Sequence, residues 1–321
     1  MKILIIKLGA LGDVINTIPL AVQLKKHLDA RIHWLVAPLS YPIIAEHECV
    51  DQTIVFERSR LYTSIPSLLS QLRSQKYDVV LDLQRILKSG LLGVAASAKR
   101  RIGFDKKRCK EMTWLLPFER IPPSDPHAHM LYQYLEFANY LGVTSPLIEW
   151  RIKVPQETPA VLPREFIVLN IGATKPANRW ISEGFASLSQ SIAHQYHMPC
   201  VLTGGKEDSE MAKRIKTAAG KSVLDLVGKT SLKELISVIS AARAVVTCDT
   251  GPMHLAVALG KKVVALFGPS DHRRTGPFRG RVIRKETSCA PCNQKKCEDP
   301  VCMRAIQFQD VLKGLSEYLD G

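Results

Sequence analysis

Residues 2–13 read KILIIKLGALGD, and this stretch decides the fold class of the chain. Residues 3–6 are continuously apolar, which is typical of a strand buried on both faces of a parallel sheet. Gly9 and Gly12 allow a tight turn directly after the strand, and Asp13 falls at or near the start of the next helix. The segment therefore predicts the strand, turn and helix of a βαβ unit, in which a plain helix cap is the simplest role for Asp13.

The same pattern continues through the chain in two blocks. Apolar strand-like segments at residues 31–37 and 77–83 alternate with helical segments, which predicts a parallel sheet. Residues 144–163 then carry four prolines with little periodicity, as expected of a linker between domains. A strand-like segment at residues 166–171 starts a second series of alternating strands and helices.

We therefore predict an α/β protein of two Rossmann-like domains that face each other across a cleft, where ligands of such sheets usually bind. The N-terminal domain is expected to span residues 1–155 and the C-terminal domain residues 156–321. The last helix, at about residues 305–319, is expected to pack back on the N-terminal domain.

The chain is strongly basic, with a formal charge of +14 over 321 residues. Such a charge indicates a partner that bears phosphates or carboxylates: nucleic acid, an anionic membrane or an acidic substrate. Residues 99–110 hold seven Lys or Arg and a single Asp, a pattern that usually marks a solvated basic loop. Nucleic acid is not favoured as the partner, because only Phe104 interleaves with these cations for base stacking.

No segment approaches the roughly 18 consecutive apolar residues of a membrane span. The apolar run near the N-terminus is also too short for the core of a signal peptide. We therefore expect a cytoplasmic protein.

Two loops of the second half follow predicted strands and carry charged side chains. Residues 170–180, NIGATKPANRW, bring Lys175 and Arg179 to a turn whose backbone N–H groups favour phosphate. Residues 204–208, GGKED, carry carboxylates that either accept hydrogen bonds from sugar hydroxyls or simply favour the first turn of a helix. Each loop on its own also fits an ordinary connection between a strand and a helix.

A third loop, residues 248–254, reads CDTGPMH and is harder to explain as a plain connection. The preceding strand delivers Asp249, Thr250 and Gly251 to the sheet edge, and His254 lies in the first turn of the next helix. All these groups can face one anion at the start of the helix, which predicts a phosphate or nucleotide site.

A dinucleotide-dependent oxidoreductase fits the first loop poorly. The dinucleotide-binding fingerprint reads G-x-G-x-x-G and is followed by an acidic residue at the end of the second strand. This chain has G-x-x-G spacing, and its second strand ends in Ala37-Pro38.

Four of the eight cysteines, Cys289, Cys292, Cys297 and Cys302, are spaced C-x2-C-x4-C-x4-C. The first pair has the spacing of a zinc or iron knuckle, and the second pair does not repeat it. Two alternatives stay open: structural Zn or Fe at this cluster, or reduced thiols in an irregular loop.

Together these segments resemble the bacterial heptosyltransferases of lipopolysaccharide core synthesis, glycosyltransferase family nine. The matching segments are KILIIKLGALGDVINTIP (residues 2–19), GATKPANRW (172–180), GGKED (204–208) and CDTGPMHLAVALGKKVVALFGPSD (248–271). The resemblance implies the two-domain GT-B glycosyltransferase fold, with ADP-heptose in the C-terminal domain and the acceptor in the N-terminal domain. It also implies an inverting reaction that needs no cofactor and no catalytic metal.

The resemblance implies roles for individual residues. Asp13 matches the family's proposed general base, and Lys7 and Gly12 beside it are assigned to the acceptor. The positions around the donor's nucleotide, phosphates and sugar are matched by Thr174, Glu207, Asp249, Thr250, Gly251 and His254, and Gly205 is assigned with them.

One position departs from the family's pattern. Many members carry a lysine two residues before the tryptophan, where it meets the pyrophosphate, and this chain has Asn178 there. Either Lys175 or Arg179 supplies the missing charge, or the donor differs. All three residues are assigned to the donor site.

The resemblance also gives the basic run a role, because core acceptors carry phosphates and Kdo carboxylates. Lys99, Arg100 and Arg101 are expected to hold the acceptor or the membrane around it. The expected function is transfer of heptose from ADP-heptose to the inner core (Kdo/heptose) of lipopolysaccharide, at the cytoplasmic face of the inner membrane.

Two alternatives to this function remain open from the sequence. Within the enzyme class, the chain transfers another nucleotide-activated sugar or glycosylates a protein. Outside that class, it is a non-catalytic protein that binds nucleotides or anionic surfaces. Asp13 argues against the second alternative, since binding alone would not need it.

Overall fold

The computed structural model describes residues 1–57, 61–144, 147–156 and 162–320. The chain divides into two compact units, Met1–Lys153 (unit 1) and Val154–Gly321 (unit 2), and each unit has its own sheet. Within the described residues, no helix combines the length and the hydrophobicity that crossing a bilayer requires.

Unit 1 is a six-stranded parallel sheet with helices connecting its strands. Its elements in chain order are β1 (Lys2–Ile6), α1 (Leu11–Leu28), β2 (Arg31–Val36), α2 (Tyr41–Ile44), β3 (Gln52–Val55), α3 (Leu61–Ser74), β4 (Tyr77–Asp82), α4 (Leu87–Ala95), β5 (Ala98–Gly103), β6 (Glu119–Arg120) and α5 (Met130–Tyr140). The strand order is β3-β2-β1-β4-β5-β6, so the order reverses between β1 and β4. The carboxyl ends of strands at such a reversal form the usual ligand site of an open parallel sheet.

Unit 2 repeats this architecture. Its elements are β7 (Ile167–Asn170), α6 (Ser182–Tyr196), β8 (Cys200–Thr203), α7 (Ser209–Ala219), β9 (Val223–Asp225), α8 (Leu232–Ala241), β10 (Ala244–Cys248), α9 (Gly251–Ala258), β11 (Lys262–Leu266), α10 (His272–Thr275), β12 (Arg281–Ile283), α11 (Val301–Arg304) and α12 (Phe308–Leu319). The strand order β12-β11-β10-β7-β8-β9 reverses between β7 and β10.

The core of unit 2 is built by the apolar stripes of its outer helices. Phe185, Leu188 and Ile192 of α6 are buried against the sheet, as the helical spacing of these residues predicts. Val311 and Leu315 of α12 belong to the same cluster, and α12 contacts α6, β11 and β12. The last helix therefore packs within its own unit, and its contact with the N-terminal domain stays a prediction.

The starts of α8 and α6 are built differently. Ser231 and Glu234 form a capping box at the start of α8: the Glu234 N–H donates to the Ser231 hydroxyl, and the Ser231 N–H donates to the Glu234 carboxylate. Ser182, by contrast, does not cap α6. It is the first residue of that helix and Ile181 occupies the capping position, with no side-chain cap.

Candidate active site

Asp13 lies at the carboxyl edge of the sheet of unit 1 and does not cap a helix. The capping position of α1 is taken by Ala10, and Asp13 is the third residue of the helix. Its two carboxylate oxygens are held separately: Lys7 Nζ donates to Oδ2 at 3.2 Å, and the Tyr134 hydroxyl donates to Oδ1 at 3.0 Å. The Asp13 side chain nevertheless remains 37% exposed, so an incoming group can still reach it.

Neighbouring charges keep the Asp13 carboxyl ionised. Burial alone would raise the pKa of Asp13, but Lys7, the Tyr134 hydroxyl and Arg85 together hold the pKa below its ordinary value. The same packing acts in the opposite direction on Lys7, which is only 1% exposed. Burial lowers the pKa of the Lys7 ammonium, although the Asp13 carboxylate beside it favours the charged form.

The loop after β4 completes this edge, although no sequence pattern predicted it. Gln84 Oε1 accepts hydrogen bonds from the N–H groups of Leu8 and Gly9 at 3.0 and 3.3 Å, so it joins the loops that follow β1 and β4. Asp82 ends β4, and burial raises the pKa of its carboxyl. The signal that could have found these residues is their position directly after a predicted strand, next to the loop of Asp13.

Arg85 is a second residue of this loop that sequence reasoning missed. It is buried, adopts a backbone φ of 67° and stacks its guanidinium over the Phe104 ring at 5.1 Å. Its Nε has no hydrogen-bond partner among the described residues. Because a buried cation and a left-handed backbone are both unfavourable for arginine, this geometry is typical of a functional position.

In unit 2, four buried polar side chains form a network at the carboxyl ends of β7, β8 and β10. Asn170 Nδ2 donates to Thr247 Oγ1 at 3.2 Å and to Thr250 Oγ1 at 3.3 Å. Thr203 Oγ1 donates to Asn170 Oδ1 at 3.3 Å. The network fixes the strand ends at the reversal of strand order, and it contains only one residue, Thr250, that the sequence singled out.

Asn178 lies beside this network and contacts two other loops. Its side-chain amide donates to Asp249 Oδ2 at 3.2 Å and to the Ser270 hydroxyl at 3.0 Å. Lys175 Nζ lies 3.5 Å from the same Ser270 hydroxyl. The ammonium of Lys175 is therefore held near the position where the family pattern places a lysine, and Ser270 is a neighbour that the sequence did not reveal.

Arg179 forms an ion pair with Asp208 and not with Asn178 or Ser270. Its guanidinium contacts the buried carboxylate of Asp208 at 2.7 Å, and Asp208 also accepts a hydrogen bond from the Gly205 N–H at 2.9 Å. Burial raises the pKa of Asp208, and the Gly205 N–H and Arg179 partly offset this effect. A Cβ at Gly172 would collide with the Asp208 carboxylate, so the glycine permits this close packing of the two loops.

The other predicted donor residues line the same edge. Gly251 begins α9, and His254 is buried in its first turn, as predicted. Thr174 and Glu207 are exposed on the loops that follow β7 and β8. The structure thus brings the three predicted loops of unit 2 to one edge of one sheet, which is the arrangement that suits a phosphate-bearing ligand.

The sequence pattern of glycosyltransferase family 9 (heptosyltransferase) matches residues 65–302, well over half of the chain. The chain belongs to glycosyltransferase family 9. It is 26% identical over 284 residues to the lipopolysaccharide core heptosyltransferase OpsX of Haemophilus influenzae, a match that covers 85% of this glycosyltransferase and 81% of that protein.

Solved structures show the same fold. A family 9 glycosyltransferase from Veillonella parvula has a TM-score of 0.84 at 22% identity, and the match covers 100% of this chain and 97% of that chain. The ADP-heptose lipopolysaccharide heptosyltransferase II of E. coli has a TM-score of 0.80 at 24% identity, with 99% and 98% covered. Two parallel six-stranded sheets together with these likenesses confirm the predicted GT-B fold.

Only the second part of the basic run of this glycosyltransferase, from residue 104, is the loop that its composition predicts. Residues 98–103 form β5, and Ile102 is fully buried there. Lys99 pairs with Asp78 at 2.8 Å, and Arg100 pairs with Glu119 at 2.7 Å. Arg101 donates instead to backbone carbonyls, including that of Ala96 at 2.7 Å.

Lys99 also lies away from the edge of the sheet that carries Asp13. Lys99 is four residues before the carboxyl end of β5 at Gly103, a distance of about 13 Å along the strand. The structure thus does not bring Lys99 to the edge that carries Asp13, and its role in binding the acceptor stays a prediction. Lys7 does lie at that edge, and Gly12 is buried in the first turn of α1.

The four clustered cysteines of the glycosyltransferase do not form a metal centre in this structure. Cys289, Cys292 and Cys297 are exposed, whereas Cys302 is buried under Gly268. Among the described residues, no group of three or more His, Cys, Asp or Glu side chains is arranged to hold a metal ion. The predicted structural Zn or Fe is therefore unsupported. The same segment contacts the loop of Asn178, because the Lys295 carbonyl accepts a hydrogen bond from the Ala177 N–H at 3.2 Å.

Proposed function

We propose that the enzyme transfers heptose from ADP-heptose to the Kdo/heptose inner core of lipopolysaccharide. The observation that carries the proposal is the ionised carboxylate of Asp13, fixed by Lys7 and Tyr134 at the carboxyl edge of its sheet. Such a group can take the proton of an acceptor hydroxyl while the new glycosidic bond forms. The sugar, donor and acceptor are those named for similar proteins, a lipopolysaccharide core heptosyltransferase and an ADP-heptose lipopolysaccharide heptosyltransferase.

In this proposal unit 2 holds the donor. The start of α9 provides backbone N–H groups and the positive end of a helix dipole, and Lys175 provides a cation near Ser270. Both stabilise negative charge, which develops on the diphosphate as its bond to the sugar breaks. Thr174, Glu207 and His254 belong to the same three loops and contact the nucleotide, phosphates or sugar.

The reaction is a single displacement. The acceptor oxygen attacks the anomeric carbon, Asp13 receives its proton, and ADP departs with the electron pair of the broken bond. Attack from the face opposite the leaving group inverts the anomeric configuration. No metal or other cofactor takes part, because the fixed cation and dipoles of unit 2 stabilise the leaving group.

The charge of the chain fits an acidic acceptor in the membrane. A net charge of +14 favours encounter with phosphates and Kdo carboxylates, and with an anionic membrane surface. The enzyme therefore acts at the cytoplasmic face of the inner membrane as a peripheral protein, without nucleic acid as a partner.

A panel of nucleotide sugars tests the donor and the acceptor together. ADP-heptose, UDP-glucose and GDP-mannose are each incubated with core-truncated lipopolysaccharide or with a protein lysate, and release of nucleoside diphosphate is followed with and without EDTA. We expect acceptor-dependent ADP release from ADP-heptose alone, unchanged by EDTA. Release of UDP or GDP would contradict ADP-heptose as the donor. Transfer of sugar to protein would contradict lipopolysaccharide as the acceptor, and loss of activity in EDTA would contradict a metal-independent reaction.

Replacing Lys7 with methionine should move the acid limb of the pH–rate profile to higher pH. The ammonium of Lys7 lowers the pKa of Asp13, while burial raises it. Removing the cation leaves burial in place, so the Asp13 pKa rises and the carboxylate is lost at a higher pH. The measurement is kcat against pH, and Lys2→Met at the other end of β1 is the control. If both variants had the same acid limb, Lys7 would have no part in setting the pKa of Asp13.

A further inference from the structure

An apolar groove opens on the surface of unit 1 between α3 and α4. It has a volume of about 420 Å³, and one charged side chain, Lys88, lies in an otherwise apolar lining: Phe56, Ile65, Leu69, Leu87, Leu91, Leu92 and Ala95. Lys88 places its ammonium 5.6 Å from the centre of the Phe56 ring. A groove of this composition is costly to leave in water.

The groove continues into exposed apolar side chains on its rim. Leu87 and Leu91 lie one turn apart on α4 and are 43% and 53% exposed. On a separate stretch of the chain, Met112, Trp114 and Leu115 are 56%, 37% and 68% exposed. Large apolar side chains at such exposure, gathered on one face, mark a surface that contacts a partner.

The two sets of side chains belong to one surface because their backbones pack together. The Leu87 N–H donates to the Glu111 carboxylate at 3.0 Å, which joins the start of α4 to the segment 111–116. A Cβ at Gly90 would collide with the Leu116 side chain, so this segment lies directly against the helix. We call Leu87, Leu91, Met112, Trp114 and Leu115, together with the groove, the apolar surface of unit 1.

Lysines accompany this surface. Lys106 and Lys107 are exposed in the short helical turn that precedes the segment, and Lys88 lies in the groove itself. Apolar anchors combined with lysines, and a tryptophan among the anchors, are the features by which peripheral proteins bind anionic lipid at the interface.

We propose that the apolar surface of unit 1 docks the enzyme on an anionic lipid bilayer, with Trp114 and Leu115 entering the interface and Lys106 and Lys107 facing lipid headgroups. This inference rests on the proposed function, because it names the membrane surface on which a lipid-linked acceptor would be met. It assigns the contact to residues other than Lys99, Arg100 and Arg101.

The position of the surface in the fold fits this role. Phe56 follows β3, α4 follows β4, and the segment 104–118 follows β5, so each part comes after the carboxyl end of a strand. Asp13 follows β1 at the same edge of the same sheet. A bilayer on this surface therefore lies on the side of unit 1 that carries the proposed base, where the sugars of a membrane-anchored acceptor can reach it.

A second copy of the chain is the other occupant that an apolar surface could accept. In a twofold interface the same patch faces itself, so the lysines of one copy would face the lysine-bearing surface of the other copy. Like charges so placed repel, whereas an anionic bilayer offers them the opposite charge. The lysines therefore favour lipid over self-association.

Trp114 allows a direct test of the docking. The other three tryptophans, Trp34, Trp150 and Trp180, are buried, so quenching by brominated lipid reports on Trp114. Vesicles of phosphatidylglycerol and brominated phosphatidylcholine, free of donor and acceptor, should quench its fluorescence, and Trp114→Phe should abolish the quenching. Vesicles of phosphatidylcholine alone should bind less, and salt should weaken binding to the anionic vesicles.

A pair of leucine variants supplies the matched comparison. Leu87→Gln combined with Leu91→Gln should lower the vesicle partition coefficient by about tenfold or more, because two interfacial side chains are lost. Leu147→Gln, at another exposed leucine of unit 1 that is 57% exposed, should leave binding unchanged. Melting temperature, and transfer to a water-soluble core oligosaccharide, should stay at the wild-type level in both variants.

Three results would overturn the docking proposal: no vesicle binding by the wild type, equal binding by the Leu87/Leu91 and Leu147 variants, or concentration-dependent dimerisation that the Leu87/Leu91 variant abolishes. The vesicle assay contains neither nucleotide sugar nor acceptor. Failure of the proposed function would instead appear as absent transfer to the water-soluble acceptor, with vesicle binding intact.

Discussion

Replacing Asp13 with asparagine should lower kcat by about a hundredfold or more, the usual scale for a positioned general base. Asparagine keeps the shape of the side chain, and its one oxygen can still accept a hydrogen bond from Lys7 while its NH2 group donates to the Tyr134 hydroxyl, but it cannot take a proton at neutral pH. Binding of ADP, measured by calorimetry, should be unchanged, because the donor residues belong to unit 2. Turnover within a fewfold of the wild type would remove Asp13 from the mechanism.

A control for Asp13→Asn is needed because this variant leaves the Lys7 ammonium unpaired. Asp13→Asn leaves the buried ammonium of Lys7 without its carboxylate, which is expected to lower stability. Adding Lys7→Met removes that unpaired cation, so the double variant should recover melting temperature but not turnover. Recovery of both would show that Asp13→Asn acts through folding rather than through proton transfer.

Replacing Lys175 with methionine should weaken ADP binding by roughly ten- to a hundredfold, because a charge-assisted hydrogen bond to phosphate contributes about 1.5–3 kcal/mol. The Lys175 ammonium lies beside the Ser270 hydroxyl, which also accepts a hydrogen bond from Asn178 at the position where the family usually has a lysine. Asn178→Lys, which restores the family's usual residue, should partly recover binding in the Lys175→Met background. Calorimetry with ADP measures both effects.

Arg179→Met is the matched comparison for Lys175→Met, since it removes the other candidate cation of the same loop. Arg179 pairs with the buried Asp208, so its loss should lower the melting temperature by several degrees and leave an unpaired carboxylate. ADP binding to the folded variant should change little. The reverse pattern, in which Arg179→Met abolishes binding and Lys175→Met does not, would assign the phosphate to Arg179.

The strands that the sequence predicts are those with continuous apolar runs. β1 and β10 are such strands, and both lie in the middle of their sheets with side chains buried on both faces. β5 was not predicted because half of the residues in its sequence, AKRRIG, are charged and only its last two residues are buried. Its pairing with β4 rests on backbone hydrogen bonds, which side-chain patterns do not report.

The sequence predicts the site residues that lie near the ends of strands. It does not predict the side-chain contacts that the packing of distant segments brings to the site. Asp249 follows a predicted strand directly, and Asp13 follows the turn after another predicted strand; the carboxyl ends of parallel strands meet at one edge. Tyr134 contacts Asp13 from 121 residues further along the chain, through the packing of α5 on α1. Ser270 reaches Asn178 across 92 residues in the same way, and no local pattern marks either contact.

The central claim is that this enzyme adds heptose to an acidic core glycan, and intact-mass measurement of the product tests it most directly. Lipid-linked acceptor that ends in Kdo or in a first heptose is incubated with ADP-heptose and the wild-type enzyme, with Asp13→Asn in parallel. The wild type should increase the acceptor mass by one heptose residue, and Asp13→Asn should form little of this product. An unchanged acceptor mass with the folded wild type, or equal product with both proteins, would contradict it.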